Sequence, residues 1–156
     1  NVLSNPLADQ TDDYIQDLMA LSKALSQAEH DFDKAAKQIA KFEKMLKYVT
    51  SDQAALTKEV YELRAAINSM DLVLNGSAAR AEVGEKDHLS VGSRLYFAAS
   101  GLMDNSYGQT QLHVEGYEMA KAMLEQLEGD IADLANVQVP ALAKKLEAAG
   151  APIILD

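Results

Sequence analysis

Between Tyr14 and Val49 the apolar and small side chains keep one rhythm. They fall at Tyr14, Leu18, Leu21, Leu25, Ala28, Phe32, Ala35, Ile39, Phe42, Leu46 and Val49, in steps of four and three without a miss. That is an a/d heptad held over five repeats, a pattern that a helix turns into one buried stripe. A helix over 11–49 would reach about 60 Å at 1.5 Å per residue. Thr11 is placed to cap its start. Asp12, Asp13 and Asp17 occupy the first turns, and Lys34, Lys37, Lys41, Lys44 and Lys47 load the C-terminal half. Both placements suit the helix dipole.

Thr50-Ser51-Asp52 is a turn-and-cap cluster, after which Leu56, Val60, Leu63, Ile67, Met70 and Leu74 resume the same spacing up to a stop at Asn75-Gly76. So short a connection forces an antiparallel helical hairpin. Residues 76–89 read as the longest loop. Ser90 then caps a short helix carrying Val91, Leu95, Ala98, Ala99 and Leu102, and 104–108 form a turn. Thr110 caps a last long helix with core positions Tyr117, Ala120, Leu124, Leu127, Ile131 and Leu134. Pro140 should kink or restart it near Val137–Val139, because proline lacks the amide donor. Leu142 and Leu146 belong to a final piece ending at Gly150, with Pro152 beyond as a stop.

The pattern therefore predicts an all-α, elongated, antiparallel up-down-up-down bundle. It has two long helices (about 11–49 and 110–149), one medium (52–75) and one short (90–103). Where the short helix runs out, the long pair is expected to continue as a two- or three-helix stalk. An isolated dimeric coiled coil would show the same heptads, but short connections make the intramolecular bundle cheaper in entropy. Residues 11–150 form the bundle, 1–10 a linker from a missing upstream domain, and 151–156 a tail.

Composition narrows the function classes. The chain has 156 residues, 48% apolar and 24% charged, with 8 Gly, 3 Pro, no Trp and no Cys. One core of ordinary size fits this length. The missing Cys excludes a disulfide scaffold, a Cys-ligated zinc and a thiol nucleophile. A formal net charge of -10 argues against nucleic acid or an anionic membrane as the main partner. No run of about 18 apolar residues suggests insertion into a membrane. The first residues, Asn1-Val2-Leu3-Ser4-Asn5-Pro6, lack an initiator Met and a leader pattern, and read as a processed chain or an excised domain.

Candidate chemistry is sparse. His30 lies between Glu29 and Asp31 on an outward face. Glu85-Lys86-Asp87-His88 has the Glu-x-x-His spacing of di-metal bundles, but no second copy accompanies it. His113 would suit a phosphotransfer histidine in a four-helix bundle, although an exposed or capping role is the simpler reading. The lysine stripe at 34–47 reads as a solvated face, Asp12, Asp13 and Asp17 lack a calcium-loop pattern, and Asp130 and Asp133 serve solubility. Seam alanines Ala28, Ala35, Ala99 and Ala120 permit either close helix approach or a small apolar ligand between helices. No catalytic, cofactor-binding or metal residue is assigned, and no cofactor is expected.

One resemblance bears on function. Val2-Leu3-Ser4-Asn5-Pro6-Leu7 resembles the exit from a β-sandwich strand into a helical tail. The block Val91-Gly92-Ser93-Arg94-Leu95, then Tyr107-Gly108-Gln109-Thr110-Gln111, Tyr117 and Val139-Pro140-Ala141-Leu142 through Leu146 to Pro152, is more specific. It resembles the C-terminal helical region of large bacterial sortilin-like proteins that carry BNR/Asp-box repeats and are often labelled glycosyl hydrolases or exo-sialidase-like. In that family a seven- or ten-bladed β-propeller and a small β-domain precede the helices, and the proteins are typically exported. The S-x-D-x-G-x-T-W repeat is absent from this chain, so no catalytic residue carries over. The resemblance implies a non-catalytic helical accessory domain in the periplasm or outside the cell. Its partner would be the upstream domains of the same polypeptide or another protein. The alternative is a stand-alone interaction or sensor bundle that forms a homodimer through its long helices.

Overall fold

A computed structural model of the chain describes residues 6–76, 90–103 and 108–152. Residues 1–5, most of the expected loop (77–89), most of the expected turn (104–107) and the last four residues lie outside the described residues, and so does the Glu85–His88 motif. The described chain is all-α, with no strand. Helix α1 spans Pro6–Met45 and passes into a 3-10 turn, Leu46–Tyr48; α2 spans Gln53–Asn75 and α3 Val91–Met103. Helix α4, Gln111–Asp133, runs through a π-helical turn, Leu134–Gln138, directly into α5, Val139–Ala148. The two long helices, the medium one and the short one are those that the heptads predict.

One local expectation changes and another takes a specific form. Helix α1 begins at Pro6, a residue whose fixed φ and missing amide suit a first helical position. Thr11 is therefore not its cap but lies in the second turn, with its hydroxyl 3.4 Å from the Gln109 side-chain oxygen. The restart expected near Val137–Val139 is present: a π turn interrupts the helix and α5 starts at Val139, with the proline in its first turn, where its absent N–H is tolerated. The same turn solves a problem of register. Buried positions run Leu127, Ile131, Leu134, Val139, Leu142, Leu146, with one step of five in place of four. In a regular helix that step would swing Val139 away from the seam, and the wider π turn returns it.

The chain forms two compact units. One comprises Asn1–Gln27 with Leu72–Gln126, the other Ala28–Asp71 with Leu127–Asp156. In the second unit, α1 and α2 form the expected antiparallel hairpin, tied by Arg64 Nε donating to Glu43 Oε1 at 2.7 Å. Asp52 takes a left-handed φ of 53° in the connection. Helix α5 runs antiparallel to α2: Lys145 meets Glu59 at 3.0 Å, and Thr50 donates both its amide and its hydroxyl to the Ala149 carbonyl. The end of α5 is a Schellman cap. The amides of Ala151 and Gly150 bond the carbonyls of Leu146 and Glu147, and Gly150 has a φ of 104° that only glycine adopts without strain. Ile39, Phe42, Val60, Leu134 and Leu146 are sealed in this unit's core. Burying each contributes about 2 kcal/mol.

In the first unit, Tyr14, Leu18, Leu21 and Leu25 of α1 are buried, as are Val91 and Ala98 of α3 and Tyr117, Ala120 and Leu124 of α4. Helix α3 starts beside the last turn of α2, Gly92 lying next to the Leu74 carbonyl. Ser90 caps it by accepting the Ser93 amide at 3.1 Å. It then runs antiparallel to α4, with Arg94 against Met119, Phe97 against Gly116 and Gly101 against His113. Helices α1 and α4 run parallel here, Thr11 facing Gln109 and Tyr14 facing Tyr117. Each unit is thus an alternation of three helical segments. Within the first unit α3 runs antiparallel to α1 and α4 parallel to it, the reverse of the expected up-down-up-down order, because α3 starts beside the end of α2 and runs on in the direction of α2. Of the seam alanines, Ala28, Ala35 and Ala120 are buried, whereas Ala99 is only half-buried.

Candidate functional site

Two buried polar side chains of the first unit, Tyr14 and His113, meet where α1, α3 and α4 converge. The Tyr14 hydroxyl donates to the Ala98 carbonyl of α3 at 2.7 Å and lies 3.1 Å from the His113 carbonyl of α4. One phenol therefore ties three helices. Its ring meets that of Tyr117 edge to face, with centroids 6.1 Å apart. Burial, with Tyr117 adding to it, pushes the Tyr14 hydroxyl up to about 12, and burial raises Tyr117 as well. Both phenols therefore hold their protons more firmly than an exposed tyrosine does.

His113 is nearly as buried, and its use is structural. Its Nδ1 accepts the Thr110 amide at 3.0 Å and faces the Thr110 hydroxyl at 2.8 Å, while its own amide points to that hydroxyl at 3.4 Å. This is a reciprocal capping box with histidine in the place usually held by Glu or Gln. Accepting the amide leaves the ring proton on Nε2. The imidazole lies 5.0 Å from the Phe97 ring, and a side chain at Gly101 would begin 2.5 Å from its Nδ1. The capping role expected of His113 is the one it plays, and the nitrogen facing Thr110 is engaged.

The other candidates do not converge. His30, the five stripe lysines, Asp12, Asp13, Asp17, Asp130 and Asp133 are all exposed. Asp133 accepts a hydrogen bond from Gln138 across the π turn. No cluster of three metal-ligating side chains exists among the described residues. No helix among them is long and apolar enough to cross a membrane.

At Ala99, one of the seam alanines at which space between helices was an alternative, there is an open apolar groove of about 460 Å³ between α1 and α3 in the first unit. Leu18, Met19, Leu95, Tyr96, Ala99 and Leu102 line it. Leu95, Ala99 and Leu102 were expected in the core and are half-buried; among the described residues only α1 lines the groove beside α3. The sequence did contain a trace of it. Ile15, Met19 and Ser22 form a second four-and-three series beside the main stripe of α1.

No family model, curated protein or solved structure matches the chain.

Proposed function

We propose that this chain is a non-catalytic helical interaction domain whose binding end is the first unit. The observation supporting this is the distribution of exposed apolar side chains. Of twelve large hydrophobic residues exposed among the described residues, nine belong to the first unit, Met19, Tyr96, Leu112 and Met119 among them. The second unit has three, Tyr48, Tyr61 and Val137. Apolar surface concentrated on one part of a chain is the usual mark of a contact surface. The buried polar groups beside it serve as ties and caps, which favours binding over chemistry. The resemblance to the helical end of exported propeller proteins supports an accessory role outside the cytoplasm, with a domain of the same polypeptide or another protein as partner.

Photo-crosslinking in the cells that make the protein tests this. A photoreactive phenylalanine analogue is placed at Met19, Tyr96 or Leu112, and, as controls, at Tyr61 or Val137. Crosslinks to protein should form from the first set and not from the second. Equal labelling from both sets, or none from the first, overturns the reading.

A further inference from the structure

We propose that the groove between α1 and α3 seats an amphipathic helix of a partner protein, acidic at its start and basic at its end. The inference rests on reading the first unit as the binding end of the chain. Both walls of the groove carry the spacing with which helices receive another helix. Ile15, Met19 and Ser22 line it from α1 in steps of four and three, and Gly92, Leu95, Ala99 and Leu102 line it from α3 in steps of three, four and three. From Gly92 to Leu102 the wall is about 15 Å long, nearly three helical turns. The small side chains of Ser22 and Ala99, and the absence of one at Gly92, leave room for a backbone to come close. Met19 and Tyr96, 67% and 73% exposed, flank this space. A groove so open does not enclose a small molecule, whereas a helix laid along it keeps its polar face in water.

Charge at the rim sets the direction of that helix. No charged side chain lines the groove among the described residues. Two exposed ones stand beside it on α1: Asp12, one turn before Ile15, and Lys23, one turn after Met19. They are about 16 Å and three turns apart, on one face of the helix. Neither forms an ion pair among the described residues. Helix α3 brings no charge to this side, since its Arg94 turns to Met119 of α4. An occupant therefore gains by placing a carboxylate at the Lys23 end and a cation at the Asp12 end. A helix antiparallel to α1 starts at the Lys23 end and finishes at the Asp12 end, and its own dipole favours the same two charges in the same two places. Rim charge and helix dipole agree in that orientation alone.

Two fluorescent synthetic peptides of about 21 residues, long enough to populate a helix, test the proposal by anisotropy against the purified chain. Both carry the same leucine and alanine seam. One has Glu near its start and Lys three turns later; the other has the two exchanged. A contact this small gives a weak complex, so the titration runs to about 1 mM. The Glu-first peptide should bind about fivefold or more tightly than the Lys-first peptide, the order expected of two exposed ion pairs. The double variant Asp12→Lys with Lys23→Glu should reverse that preference, which the peptides' own helicity cannot do. Met19→Gln, at an exposed position, should weaken binding about fivefold without changing the circular dichroism melt. Leu112→Ser, outside the groove, should leave it unchanged. Equal binding of the two peptides, binding of neither, or an equal loss from Leu112→Ser overturns the proposal. So does a photoreactive analogue at Met19 that crosslinks to the chain's own residues, which would assign the groove to this chain. In cells, crosslinks to protein from Leu112 but from neither Met19 nor Tyr96 overturn the groove and leave the interaction-domain reading standing; crosslinks from none of the three overturn both.

Discussion

Replacing Tyr14 with Phe removes one oxygen from the point where three helices meet and leaves the ring in place. Both acceptor carbonyls lie inside helices, where backbone amides continue to satisfy them. The loss at neutral pH is then the net worth of one buried hydrogen bond, about 1 kcal/mol. The pH dependence is more diagnostic. In the unfolded chain the phenol ionises near its ordinary value of 10, in the folded chain near 12. Between these values the unfolded state has released a proton that the folded state still holds, so stability falls as pH rises. The contribution is fully present below pH 10 and is lost through pH 12. A two-unit gap corresponds to about 2.7 kcal/mol at 1.36 kcal/mol per unit. Urea unfolding followed by circular dichroism should find wild type about 1 kcal/mol more stable than Tyr14→Phe at pH 8, by the same hydrogen-bond argument. The order should reverse near pH 11, where the ionisation penalty overtakes the hydrogen bond. Lysines and the other tyrosines titrate in both proteins and largely cancel in the difference. An offset that stays constant from pH 8 through pH 11 would refute the claim that the phenol is held protonated by its burial.

Further outcomes follow from single positions. Gly101→Ala should destabilise by about 1–3 kcal/mol, since the new methyl must displace the His113 ring and with it the cap on α4. Gly129→Ala, where nothing lies within 4 Å, should instead stabilise by about 0.5–1 kcal/mol through helix propensity; thermal melts of the two compared with wild type check both signs. Ser90→Ala should cost about 1 kcal/mol and speed hydrogen exchange at the start of α3, because the Ser93 amide loses its acceptor. Pro140→Ala should keep Val139, Leu142 and Leu146 protected in exchange experiments, since their burial and not the proline holds the π turn in register. Deprotection of that segment in the variant would contradict this. Glu43→Gln should cost less than about 1 kcal/mol in urea unfolding, as expected of a half-exposed pair with Arg64.

The sequence by itself determined the helices and most of the core. Ten of the eleven heptad positions from Tyr14 to Val49 are buried, and only Leu46, in the 3-10 turn, is half-exposed. A four-and-three rhythm has no other way to hide its apolar side chains, so this much is local and readable. The caps at Ser90 and Thr110 and the stop at Gly150 were legible for the same reason: each depends on a few adjacent residues. The tertiary structure decided what depends on partners distant in sequence. Nothing in the pattern indicated that the Tyr14 hydroxyl would reach Ala98 and His113, 84 and 99 residues away. Nor did it show that a fifth-residue step and a proline would be reconciled by one π turn. Leu95, Ala99 and Leu102 show the difference most plainly. Their spacing marks them as apolar and inward, but whether an inward face is covered depends on how many helices stand beside it. On that side of α3 one stands among the described residues.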